Sequence, residues 1–409
     1  MEPVLAHTAP PHSRTPRHMP NPGLDDIDTS RECAPVVKPK RDKSPCSVIP
    51  MEDFGWVNRL PDTAAASSKS NVEKERNEGE SGKLMYPRGK ALLHPAGPLL
   101  LQYAQDGCPV DVGRPWSKEE ILTAAKRGPH KSALEPDAIT MMHAEVQDKV
   151  KEGFAEVVYL DEIEGALGSG KWEHLKISPL AMVPHKSRKY RAILDLSFSL
   201  KVFGMTIPSV NEETIITAPQ HSMRQLGSVL PRLINAVATA PVNKGNMVFS
   251  KLDIKDGYWR MVVEEGRHLN FAYVLPDVAG ARIRLVIPSA LQMGWAESPP
   301  FFCAATETAR DLAEVMVTEE LGSLAPHPLE HLMLPPAKWP EATLASTCDK
   351  YLRVMEVYVD DFCTLVQTSD VNILRQVSRS LLHSIHSVFP PPAISGHSGG
   401  DPISHKKTP

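Results

Sequence analysis

The sequence predicts an α+β protein in which an antiparallel sheet is backed by helices, and three observations carry that prediction. Met355 to Val366 sets the adjacent acids Asp360 and Asp361 between two apolar arms, the pattern of a tight β-hairpin with its charges at the tip. Met247 to Ile254 is a second apolar strand, and it also ends on a carboxylate, Asp253. Apolar residues then recur at helical spacing over 136–150, 298–320 and 371–389.

The chain has 409 residues, 42% of them hydrophobic, which is enough for a sizeable core. Its 38 prolines gather in the first hundred residues, between Ala325 and Pro340, and towards the C-terminus, so those parts are expected to lie outside the core. A formal charge of −4 excludes whole-chain attraction for a polyanion, and any such site must come from local clustering. The six cysteines show no C-x-x-C pairing, so reduced thiols are expected rather than a disulfide frame or a zinc site. No apolar run reaches the length of a membrane span, and the N-terminus lacks a signal-peptide core. The expected setting is intracellular, with no secretion and no membrane partner.

Residues 1–93 mix Pro, Ser, Lys, Arg and Glu without sustained period and read as a disordered leader. A helical region is expected over 94–160. Ser117 and Glu120 have capping-box spacing ahead of Ile121, so a short helix starts there. A longer one runs from Pro136, with Ile139, Met142, Val146 and Val150 on its buried face and Gly153 as its stop. Five acids crowd 152–164, and six bases then fall between Lys171 and Arg191: Lys171, Lys176, Lys186, Arg188, Lys189 and Arg191. This basic run precedes a short buried-strand pattern, Ala192 to Leu196. Arg191 with its planar fork and the lysines as point charges suit a phosphate-bearing ligand, although a solvated charged loop fits the same pattern.

Met223 to Ala238 reads as helical despite Pro231, and Lys244-Gly245-Asn246 as a turn. Leu269 to Leu275 and Ile283 to Ile287 read as a hairpin. Ser298 is placed to cap a helix that begins at Pro299 and buries Phe301, Phe302, Ala305, Ala309 and Leu312. Positions 322–347, rich in Pro, His and Leu, read as an inserted surface loop, and 390–409 as a polar, unfinished tail. Side-by-side carboxylates repel one another and are costly to desolvate, so the acidic tip must face water or a cation. Mg²⁺ is the natural cation for an all-oxygen site. Acids also serve local hydrogen bonding in turns, and that reading stands beside the metal one.

Four stretches, in order, resemble the reverse transcriptases of retrotransposons and retroviruses: Val183 to Asp195, Leu252 to Tyr258, Gln292 to Trp295 with Ser298-Pro299, and Tyr358 to Asp361. The resemblance spans about 160–389. It implies the fingers and palm of a right-hand polymerase, with fingers over 161–245 and a palm over 246–389 into which part of the fingers (268–297) is threaded. It implies RNA-directed DNA synthesis with two Mg²⁺ ions, or Mn²⁺ in their place, on a primed RNA or DNA template with dNTPs. Asp253 and Asp360 would be the principal metal carboxylates, helped by Asp361 and the Ile254 carbonyl. Arg191 with Lys186, Arg188 or Lys189 would grip the triphosphate. Asp256 and Gly257 would line its phosphate and sugar side, Tyr258 would exclude a ribose 2′-hydroxyl, Met293 and Gly294 would back the nucleotide, and Tyr358 would touch the primer end. Gln292-Met293-Gly294 stands where retroviral enzymes carry Pro-Gln-Gly. Thumb, ribonuclease H and integrase segments are expected to lie outside this chain. A catalytically silent remnant that only binds nucleic acid or protein shares the pattern, as does an RNA polymerase, against which Tyr258 argues.

Overall fold

The computed structural model describes residues 89–186, 189–202, 204–224, 226–241, 246–319, 324–332, 352–368, 370–391 and 401–404. The leader up to position 88, Arg188, Lys244, Gly245 and most of the insert at 322–347 lie outside the described residues. Structure begins earlier than the leader boundary at 93 suggests, with a 3-10 turn at Gly89–Leu92 whose Ala91 is fully buried.

Helix α1 (Gly97–Asp106) is followed by α2 (Lys118–Arg127), whose capping box forms as read: Ser117 Oγ accepts from the Glu120 N–H and the Glu120 carboxylate from the Ser117 N–H. Arg114 also grips Glu120, and that hydrogen bond is the main reason its carboxyl is held down at about 2. Helix α3 (Pro136–Lys151) buries Met142 and Val146 of the expected face together with Ala138, while Ile139 is half-buried and Val150 exposed. The acid-rich stretch then yields an unforeseen strand, β1 (Ala155–Tyr159). The basic run lies on a hairpin of β2 (Leu180–Pro184) and β3 (Tyr190–Leu194), with β3 half-buried rather than buried. A second small hairpin follows, β4 (Leu200–Val202) with β5 (Met205–Ile207). Helix α4 (Val229–Thr239) tolerates Pro231 because that residue falls in the first turn, where no intrahelical partner awaits its nitrogen.

Strand β6 (Met247–Asp253) leads towards β7 (Tyr273–Val274) and β8 (Arg284–Pro288). The expected arm over 269–275 begins inside a 3-10 turn, Arg267–Phe271, and only its Tyr273 and Val274 pair with β8, which pairs on its other edge with β1. Helix α5 (Ser298–Glu319) is buried from Phe301 to Ala309 on every side, not on one face. Ser298 does not cap it by accepting a backbone N–H; its hydroxyl donates to the Gln292 carbonyl at 2.8 Å. The acidic hairpin is β9 (Leu352–Tyr358) and β10 (Asp361–Gln367), and α6 (Val371–Val388), capped by Asp370, ends the main run.

The central sheet has the order β6-β10-β9, antiparallel throughout. Side chains alternate across it. Leu252, Phe362, Met355 and Val357 join Phe301, Phe302, Leu381 and Ile385 of α5 and α6 in one core. On the opposite face α4 packs Val229, Leu233 and Ala236 against Leu365, with Met247, Leu352 and Val354 around them. The sheet is thus held from both sides except at the end bearing the acids.

Two expectations fail at the C-terminal side. Residues 401–404 are docked: Ser404 N–H donates to the Asp253 carbonyl, Lys255 N–H donates to the Pro402 carbonyl, both at 2.8 Å, and Ile403 is fully buried. The described part of the insert is not all surface either, since Leu329 joins the core and His327 is buried. His327 Nε2 meets His386 Nδ1 at 2.9 Å, and His386 Nε2 meets Asp401 Oδ1 at 3.1 Å. Insert, helix α6 and tail are therefore tied by one chain of polar contacts. Neither contact was legible, because both join segments far apart in sequence by single residues.

Ile403→Ala is expected to cost about 2–4 kcal/mol in urea unfolding, the usual range for emptying a core site; a change within about 0.5 kcal/mol would show that the tail is not docked. Burial, reinforced by His386 and His383, holds the His327 pKa down to about 4 from 6.5. The unfolded chain therefore takes up that proton first as pH falls, and stability drops between about 6.5 and 4. His327→Gln should flatten this slope in urea midpoints measured at pH 7 and pH 5, and an unchanged slope would refute the assignment.

Candidate metal centre

Strand register builds the site. Asp361, the first residue of β10, stands directly across from Asp253, the last of β6, and across from Tyr358 on its other side. Directly opposed side chains on one sheet face have Cβ atoms about 4.5–5.5 Å apart, and like charges placed so are destabilising. Asp360 comes just before it in the two-residue turn, and Ile254 N–H donates to its carbonyl at 3.0 Å. One carboxylate oxygen from each of Asp253, Asp360 and Asp361 lies within 4.8 Å of the others. Asp253 is 3% exposed.

The donor set fits a hard divalent cation, which takes oxygen ligands and gains from their charge. A second observation supports that fit. Asp361 Oδ2 pairs with Lys251 Nζ at 2.7 Å, whereas its Oδ1 is buried without a hydrogen-bond partner. An orphaned carboxylate oxygen is costly unless something positive meets it. The Asp361 hydrogen bond, with its charge, raises the Lys251 pKa against partial desolvation.

The tip is also strained. Val359 has φ +59°, a left-handed conformation that is a genuine outlier for a β-branched residue. Glycine is usual at such a hairpin position. The strain costs on the order of 1–3 kcal/mol and persists only because the flanking strands over-determine it. Gly257 approaches the same tip: a Cβ there would lie 3.2 Å from the Phe302 ring and 3.7 Å from the Asp360 Cβ. Tyr258 sets its ring edge-on to Phe302 at 5.3 Å, and burial raises its pKa, with Cys303 and Asp360 adding to the shift. Gly257 and Tyr258 are thus brought to the acids.

Asp256 has φ +56°, and its carboxylate pairs with Lys149 at 2.9 Å and Lys255 at 3.6 Å. Arg191 and Met293 come together, Nη2 to Sδ at 3.2 Å, and both are exposed. Gly294 has φ +103°, and a Cβ there would lie 2.7 Å from the Leu194 carbonyl oxygen, so this loop requires glycine to meet β3. Asn211 fastens it by donating to the Gly294 carbonyl at 2.8 Å. Lys189 pairs with Asp137, and Lys186 and Tyr358 are exposed.

The sequence reading missed Lys251, although its spacing to Asp253 put it on the same strand face. It also missed Glu297, 2% exposed, whose carboxylate accepts from the Thr217 and Ala218 N–H groups and from Gln220 Nε2 and so fixes the start of α5.

Fold and site define an α+β chain with an acidic triad able to take a divalent cation. No protein-family model matches the chain, and no curated protein matches it. Among the described residues no helix is long and apolar enough to cross a membrane.

A ligand that binds only the folded state stabilises it. Mn²⁺ at a hundred times its dissociation constant should therefore add about 2.7 kcal/mol, read as a rise in Tm. Asp253→Asn should abolish that rise, and an equal rise in the variant would place the ion elsewhere.

Proposed function

We propose that this chain supplies the fingers and palm of an RNA-directed DNA polymerase of a retrotransposable element. One observation carries the reading. Carboxylates more than a hundred positions apart meet at the ends of adjacent antiparallel strands, and the Gly257-Tyr258 turn lies against the same tip. The ordered motifs from Val183 to Asp361 support it. In this reading β2 and β3 belong to the fingers and β6, β9 and β10 to the palm, and the partners are a primed template and dNTPs.

Asp253, Asp360 and Asp361 would hold two Mg²⁺ ions, with the Ile254 carbonyl beside them. Bound there, the ions would activate a primer 3′-hydroxyl and neutralise charge on the triphosphate during in-line attack at the α-phosphorus. The chain's own part is positioning. Gly257 lets the backbone come up to the acids, and Tyr258, braced on Phe302, presents a rigid wall where a ribose 2′-hydroxyl would project. Arg191, beside Met293, offers a fork to the phosphates. No protein nucleophile takes part.

A catalytically silent remnant is the second reading, and the Lys251–Asp361 pair is what favours it, since a cation already stands on one of the acids. Primer extension on a primed RNA template with Mg²⁺ and dNTPs separates the two. Under the polymerase reading, Asp360→Asn lowers incorporation on the order of 10³-fold, the several kcal/mol that such a metal centre supplies, and Tyr258→Ala raises ribonucleotide use. Absence of incorporation by the native chain at every enzyme concentration would sink the polymerase reading.

A further inference from the structure

Lys251 has no part in the scheme above, yet it lies inside it. It stands two residues before Asp253 on β6, so both side chains leave the same face of the sheet. The register sets Lys251 across from Cys363, itself two residues beyond Asp361, and this diagonal brings Nζ to 2.7 Å from Asp361 Oδ2. The lysine is about one-third exposed, so its stem can swing into solvent without breaking a core contact.

Charge decides what such a lysine does. Three carboxylates and one ammonium leave two negative charges, which a single divalent ion balances. A second ion would bring uncompensated positive charge into a partly desolvated cluster, and it would compete with the ammonium for Asp361. A polyphosphate changes both terms. Its oxygens balance the second ion and offer the displaced ammonium a new anionic partner.

We propose that Lys251 is a built-in counter-ion that limits the resting centre to one divalent ion and yields Asp361 to a second only when that ion arrives with a polyphosphate. The proposal rests on the metal-dependent reading above. It assigns Lys251 a positioning role, acting on the ions through Asp361.

Mn²⁺ titration of the full chain, followed by the electron paramagnetic resonance signal of free Mn²⁺, tests it. The native chain should bind one Mn²⁺ alone and a second when a non-hydrolysable α,β-imido deoxynucleoside triphosphate is added. Lys251→Met, which keeps the apolar stem, should bind two Mn²⁺ without nucleotide, its second site at least tenfold tighter than in the native chain. Lys251→Arg, which keeps the charge and can fork onto both Asp361 oxygens, should admit no second Mn²⁺ without nucleotide, and circular dichroism confirms that each variant is folded. If Lys251→Met still binds one ion and acquires the second only with nucleotide, the counter-ion role is refuted while the metal reading stands. If the native chain binds no Mn²⁺ at all, the metal reading falls and takes this proposal with it.

Discussion

Strand register forces like charges together at one end of the central sheet, and the rest of the structure is arranged to withstand it. Asp361 faces Asp253 across an antiparallel pair, with Asp360 one residue away in the turn. A register slip of one residue would separate them, but it would also turn Leu252, Phe362 and Val357 out of the core. The apolar alternation of three strands therefore holds the acids in opposition. Behind them α5, buried on every side from Phe301 to Ala309, gives the sheet a rigid backing, and Phe302 reaches from it to brace both Gly257 and Tyr258.

Local strain follows the same logic. Val359 holds a left-handed φ in a two-residue loop, and Asp256 holds another at the turn after β6, where Lys149 pins it. Both outliers flank the acids, one in each turn. The residues that follow β6 are tied further by the tail, since Ser404 and Pro402 bond to the backbone at Asp253 and Lys255. Backbone position around the triad is thus fixed from three directions, by β10, by the Lys149 pair and by 401–404.

What the sequence made legible was what lies within one period of itself. The hairpin at 355–366, the strand ending at Asp253, the Ser117 box and the α6 stripe all announce themselves through spacing and turn chemistry over a dozen residues. The convergence of Asp253 with Asp360 and Asp361 followed only once the two strands were taken to be neighbours. What stayed hidden was long-range or depended on size. Residues 401–404 carry one large apolar side chain, Ile403, and their partners are the backbone at Asp253 and Lys255 and the His386 ring. The stretch 269–275 is apolar enough for a strand, but Gly266, with φ +77°, starts a 3-10 turn that leaves Tyr273 and Val274 alone to pair. Helix α5 reads as amphipathic because Thr306, Glu307 and Thr308 are polar, yet all three are buried. Desolvation raises the Glu307 carboxyl to about 7 against the pull of Arg310, so that polarity marks a buried charge network, not a wet face.

The front face of the sheet shows how the same residue type is given two uses. Glu356 of β9 lies in the row with Cys363 and Lys251, and Asp361 lies in the next row on that face, about 7 Å further along. Over Glu356 helix α4 closes, and Arg232 grips the carboxylate with two nitrogens, so that this charge is spent on fastening helix to sheet. One row on, α4 no longer reaches. Tyr358 is left exposed, Asp361 Oδ1 is left without a partner, and the nearest cation is a lysine on a flexible stem instead of an arginine anchored in a helix. An arginine fork there would satisfy both oxygens and close the site; a single ammonium satisfies one. The difference between a structural carboxylate and an available one is therefore set by where α4 stops and by the choice of lysine over arginine.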